Sequence, residues 1–96
     1  MQVKFLTSSL NDLKWFRHYY ESVFPQGGKK AQKQFHSTKD LIKENPYIGH
    51  VIKDKNILEF SIPNIPFSFI YRIKGEVIEI LRVWDERQDR GKLREK

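Results

Sequence analysis

Phe67-Ser68-Phe69-Ile70-Tyr71-Arg72-Ile73-Lys74-Gly75-Glu76-Val77-Ile78-Glu79-Ile80-Leu81-Arg82-Val83-Trp84 reads as two strands joined by a tight turn. Phe67, Phe69, Tyr71 and Ile73 alternate with Ser68, Ile70, Arg72 and Lys74. That period of two puts the aromatic residues on one face of a sheet. Lys74-Gly75-Glu76 is a hairpin signal, because glycine accepts the positive φ that such a turn asks for. Val77 to Trp84 is apolar on both faces, which predicts a strand at the centre of the sheet.

Working back from this hairpin, Pro63-Asn64-Ile65-Pro66 makes a connection. Before it, Ile52 to Ile62 carries Leu58, Phe60 and Ile62 in alternation and predicts another strand. Asn45-Pro46 ends a helix that runs from about Lys29 to Glu44, since a residue before proline is pushed out of the helical region. Ala31, Phe35, Thr38, Leu41 and Ile42 form the inner face of that helix. Pro25-Gln26-Gly27-Gly28 separates it from a first helix that reaches about Phe24. Ser9 and Asp12 resemble a capping box at the start of this first helix. Its apolar stripe is Leu13, Phe16, Tyr20, Val23 and Phe24, with Trp15 and Tyr19 as a flanking aromatic pair. Val3 to Thr7 reads as a first strand that pairs with Val77–Trp84 or lies next to it. The order is β-α-α-β-β-β. The fold class is α+β, a helical hairpin packed on a small, mainly antiparallel sheet.

A chain of 96 residues makes one domain, 1–96, with residues 86–96 as a frayed tail. Hydrophobic residues at 39% and aromatics at 14% are enough for one modest core, so the chain falls outside the disordered class. No apolar run approaches the ~20 residues that span a bilayer. Met1-Gln2-Val3-Lys4-Phe5 has no signal-peptide pattern, so no membrane partner is expected. The absence of cysteine excludes disulfides and thiolate chemistry and fits a cytoplasmic location. His18, His36 and His50 show no metal spacing, and neither a metal nor a cofactor is expected. The net charge of +6 points to an anionic partner, either nucleic acid or an acidic protein. Half of that excess lies in Pro25–Asn45, which holds five basic and two acidic residues.

Asn64-Ile65-Pro66-Phe67-Ser68-Phe69-Ile70-Tyr71-Arg72-Ile73, followed after the turn by Ile78-Glu79-Ile80-Leu81-Arg82-Val83-Trp84-Asp85-Glu86-Arg87-Gln88-Asp89, resembles the RelE/ParE toxin superfamily. The Asn45-Pro46-x-x-Gly49 loop and the element order agree with it. The resemblance implies the toxin half of a bacterial type II toxin–antitoxin pair, bound by a cognate antitoxin in a hetero-oligomer. It leaves two mechanisms open. RelE-like members cut mRNA on the ribosome, whereas ParE-like members inhibit DNA gyrase and so block replication. A third possibility is a nucleic-acid- or protein-binding module that keeps the fold without toxicity.

Metal-free RNA cleavage needs a base and cations aimed at the phosphate. By resemblance, the strand cations of the ribonucleases fall at Glu59, Ser61 and Ser68, and none of these is basic. A reduced set remains, with Arg82 and Arg87 clamping a phosphate and Asp85 or Glu86 as base. The ParE-like reading fits Ile80-Leu81-Arg82-Val83 and the Arg87/Asp89 pair better, although the family pattern often carries a histidine where this chain has Asp85. Target or nucleic-acid contacts are expected from Arg72, Arg82, Trp84 and Arg87, and from Lys29, Lys30 and Lys33 through phosphates. Against these stand plainer roles: cross-strand ion pairs of Arg72 and Arg82 with Glu79 or Asp85, a hydrophobic lid for Trp84, a solvated helix face for the lysines. Trp15 and Tyr19 are expected to contact the antitoxin.

Overall fold

The computed structural model describes residues 1–52 and 56–88. Its elements are β1 (Gln2–Phe5), α1 (Leu10–His18), α2 (Gly28–Glu44), β2 (His50–Val51), β3 (Ile57–Ser61), β4 (Phe67–Lys74) and β5 (Val77–Asp85). The five strands form one sheet in the order β1-β5-β4-β3-β2. β1 runs parallel to β5, and the other neighbours are antiparallel. The architecture is α+β with a helical hairpin on a mainly antiparallel sheet, as the residue pattern predicts. The short strand β2 is an addition to the expected order. Residues 53–55, within the expected strand Ile52–Ile62, and residues 89–96 of the expected tail lie outside the described residues. Glu86 is anchored, its amide donating to Pro66 O at 2.9 Å.

The central strand is β4, which corrects the expectation for Val77–Trp84. Phe67 to Tyr71 are buried on both faces. Ser68 makes this strand look half-exposed in sequence, yet it is fully buried. β5 is interior as well, held between β1 and β4. Gly75 closes the β4–β5 turn at φ +61°, as the hairpin signal requires.

The helices cover the face carrying Phe67, Phe69, Tyr71, Ile78, Ile80 and Val83. Phe35 of α2 meets Phe69 with ring centroids 5.0 Å apart, and Phe16 of α1 meets Phe67 at 4.9 Å. Phe67 and Phe69, both fully buried, contribute about 1.5–3 kcal/mol each. Ala31, Phe35, Thr38 and Ile42 form the inner face of α2, whereas Leu41 is exposed.

The first helix departs from its expected form at both ends. Ser9 does not cap it; its hydroxyl donates back to Leu6 O at 2.7 Å. At the other end the helix widens into a π turn, Tyr19–Val23, closed by Phe24 N donating to Tyr19 O at 2.7 Å. The wider turn lets Tyr19 and Tyr20 both reach the ring of Phe67, at 6.2 and 6.0 Å.

Tyr71 ties the loop after α2 to the sheet. Its hydroxyl donates to Pro46 O at 2.8 Å and accepts from Gly49 N at 3.1 Å. A Cβ on residue 49 would lie 2.8 Å from both Glu59 O and the Tyr71 hydroxyl, so only glycine fits there. Burial raises the pKa of the Tyr71 hydroxyl, partly offset by the Gly49 amide.

Candidate functional site

β1 stops at Phe5, opposite Ile80, and leaves the outer edge of β5 open beyond that point. Leu6, Ser8 and Asp12 close it. Leu6 N donates to Ile80 O at 3.0 Å, and Ser8 Oγ donates to Leu81 O at 2.7 Å. Val83 N donates to Asp12 Oδ2 at 3.0 Å. The same carboxylate receives Arg82 Nε at 2.7 Å and Nη2 at 3.1 Å. Asp12, expected at the helix cap, is therefore the partner of Arg82. Sequence alone does not reveal this pairing, because the two positions are 70 residues apart. The guanidinium lies 5.2 Å from the Trp84 ring centre. Arg82 Nη1 and Trp84 Nε1 are buried donors with no acceptor among the described residues.

Asp85, at the end of β5, is the hub of a second network. Arg87 binds its carboxylate through Nε and Nη2, both at 2.8 Å, and through its backbone N at 3.0 Å. Trp15 Nε1 donates to Asp85 Oδ2 at 2.9 Å. Arg87 Nη1 donates to the Tyr19 hydroxyl at 2.9 Å, and the guanidinium carbon stands 4.4 Å from the Tyr19 ring centre. Burial by itself pushes the Asp85 carboxyl up, but the hydrogen bonds from Arg87 and Trp15 outweigh it, and the net shift is downward. The hydrogen bond to Asp85 raises the pKa of Arg87. Trp15 and Tyr19, expected to meet one partner, and Arg87, expected to meet another, thus belong to a single cluster.

A third group lies at the turn end of β3 and β4, beside the Pro63–Pro66 connection. Ser61 Oγ donates to Glu86 Oε2 at 2.6 Å, and the Ser68 hydroxyl donates to the same oxygen. Two positions where the ribonucleases carry strand cations therefore hold a carboxylate. Glu59 is buried on β3, with His50 Nε2 3.7 Å from its carboxylate.

The remaining candidates fall elsewhere. Arg72 pairs across strands with Glu79, Nε to Oε1 at 2.6 Å, and this hydrogen bond holds the Glu79 carboxyl below its usual range. Lys29, Lys30 and Lys33 are exposed on the first turns of α2. Trp84 is 1% exposed, so its ring offers no face to a base. Between α1 and α2 runs an open groove lined by Leu13, Phe16, Arg17, Tyr20, Gln32 and Phe35. Among the described residues no group of three or more His, Cys, Asp or Glu could hold a metal ion, and no helix is long and apolar enough to cross a membrane.

The geometry suits binding better than acid–base chemistry. Arg82 and Arg87 are each forked onto a separate aspartate. Asp85 makes a poor base, since a carboxylate held by four donors has little affinity for a proton.

Comparison with known proteins agrees with this architecture. The sequence matches the family described as the ParE toxin of the type II toxin–antitoxin system, parDE, over residues 3–90. No curated protein matches. Among solved structures, a chain from "Chromosomal ParDE TA system from P. aeruginosa" shares the fold with a TM-score of 0.68 at 24% identity, over 86% of this chain and 92% of that one. A match that spans nearly every described element, on a fold reached independently from the residues, leads to one conclusion: the chain belongs to the ParE toxin family of type II toxin–antitoxin systems.

Proposed function

We propose that this toxin arrests growth by binding DNA gyrase and blocking replication, and that it does not cut RNA. As a member of its family it has a cognate antitoxin as partner. One observation carries the reading: the charged groups at the sheet that could act on RNA, Arg82, Arg87, Asp85 and Glu86, are already engaged within the fold. Arg82 is held by Asp12 and Arg87 by Asp85. Ser61 and Ser68 gather the carboxylate of Glu86 where phosphate-binding cations would stand. A carboxylate at that point repels a phosphate, and a forked arginine has little charge left to stabilise a phosphorane.

The antitoxin has an obvious seat in the groove between α1 and α2, whose apolar floor and flanking Arg17 suit an amphipathic acidic helix. The net charge of +6 favours such a partner and speeds its association.

The test is induction in a sensitive bacterial host, with pulse labelling of DNA and protein synthesis, beside a supercoiling assay with purified gyrase. DNA synthesis stopping first, with supercoiling inhibited by the pure toxin, is the expected result. Translation stopping first, with cleaved mRNA, would show that the fold cuts RNA after all.

A further inference from the structure

We infer that the exposed lysines at the start of α2, Lys29, Lys30 and Lys33, bind the phosphate backbone of nucleic acid without reading its sequence. The inference stands apart from the proposed action on gyrase. Charge is unevenly placed along this helix. Residues 28–37 carry those three lysines and no acid, whereas residues 38–44 balance Lys39 and Lys43 with Asp40 and Glu44. All three lysines are exposed, and among the described residues none has an ion-pair partner. Their neighbours three and four positions away on the helix include no acid. The arrangement costs stability. Cations are disfavoured at the positive, N-terminal end of a helix, and Lys29 and Lys33, four positions apart, repel each other. A face selected for solubility alone gains from acids in the first turn, and α2 has none there.

A bound anion offsets that cost, and the surroundings say which kind. Side chains three and four positions apart on a helix are neighbours, with Cβ atoms ~5–6 Å apart, so the three ammonium groups reach one stretch of phosphates. Lysine is a compact point charge, and its contacts to phosphate carry no sequence information. Gln32 and Ser37, exposed on the same half of the helix, add hydrogen-bonding groups. A protein partner would want an apolar anchor and few lysines. The one large apolar side chain exposed on α2 is Leu41, more than two turns beyond Lys33. Phe24, before the helix, turns its ring toward Tyr19 and Tyr20. Arg17 and Glu21 line the groove beside Lys29 and offset each other. Lys30 and Lys33 are not part of that lining, so an antitoxin seated in the groove leaves them open.

The full-length wild type is compared with Lys29→Gln/Lys30→Gln/Lys33→Gln and with a charge-matched control, Lys4→Gln/Lys43→Gln/Lys74→Gln, whose lysines are exposed elsewhere on the fold. Circular dichroism confirms folding. Fluorescence anisotropy measures binding to a labelled DNA duplex of random sequence and to an RNA of equal length. Three phosphate contacts predict that wild-type affinity for the duplex falls about 40-fold between about 50 and 200 mM salt. The α2 variant is expected to bind at least about tenfold more weakly at the lower salt and to lose most of that salt dependence, while the control changes by less than about threefold. A wild type that binds neither probe at the lower salt, or a folded α2 variant that matches the wild type, would overturn the inference. Equal weakening in the control would overturn it too, since net charge and not this face would then attract the polymer. A preference for duplex or for RNA names the source of the phosphates and supports the inference in either case.

Discussion

Asp12 and Arg82 are joined by two hydrogen bonds, of 2.7 and 3.1 Å, across 70 residues of chain. Because Asp12 Oδ2 also accepts the Val83 amide, one carboxylate serves at once as ion-pair partner and as the missing neighbour strand of β5. The arginine that a nuclease would aim at phosphate is here part of the joint between helix and sheet.

Asp12→Ala leaves a largely buried guanidinium and a strand amide without acceptors. It should cost about 3 kcal/mol, as breaking one side of a buried pair does. Adding Arg82→Met removes the stranded charge, and the double variant should recover more than half of the loss. Urea unfolding midpoints of the four proteins, at unchanged slope, measure this. A double variant no more stable than Asp12→Ala would mean that Arg82 is not the group Asp12 serves.

Asp85 makes stability depend on acid. Its carboxyl lies below the ordinary aspartate value in the fold, while an unfolded aspartate titrates at about 3.9. The folded state thus holds fewer protons in between. The stabilisation is complete above about pH 4 and fades as pH falls through the lowered folded value. Asp85→Asn should lose stability at pH 7 and show a flatter acid limb. Thermal melts between pH 2 and 7 compare the two, and parallel limbs would count against the assignment.

Gly49→Ala should destabilise by about 1–3 kcal/mol, because the new Cβ would press on Glu59 O and the Tyr71 hydroxyl, each 2.8 Å away. Tyr71→Phe removes only one of those contacts, so it should not rescue Gly49→Ala. Full rescue in the double variant, read by chemical denaturation, would show that the backbone at Glu59 yields.

Trp84 carries a buried indole N–H with no acceptor among the described residues. Trp84→Phe removes that orphan along with some packing. The two effects offset, and stability should stay within about 1 kcal/mol of wild type. Trp84→Ala should cost about 3–5 kcal/mol. Growth arrest by Trp84→Phe should match the wild type, since a ring this enclosed cannot stack on a base. Reduced toxicity at full stability would return Trp84 to the binding surface.

The β4–β5 hairpin, the two helices and their order were legible in the residues because each rests on local rules: a period of two, a period near four, and glycine or proline at the breaks. The family was legible from the last third of the chain for a related reason, since contiguous residues there hold a pattern that needs no fold to be read. The partners of the charges were not. Arg82 meets Asp12 because β1 ends early and α1 crosses the edge it leaves open, and the local Asp85–Arg87 pair meets Trp15 and Tyr19 because α1 and the turn after it lie beside the end of β5. Ser9 and Asp12 satisfy a capping pattern, yet a tertiary ion pair and an open strand edge compete for the same carboxylate and win. Local periodicity therefore determined the elements and their order, and composition the basic balance of this protein. Only the packing of distant segments decided which charges cancel and which faces stay exposed, because pairing energy depends on distance in space, which the chain sets only once it has folded.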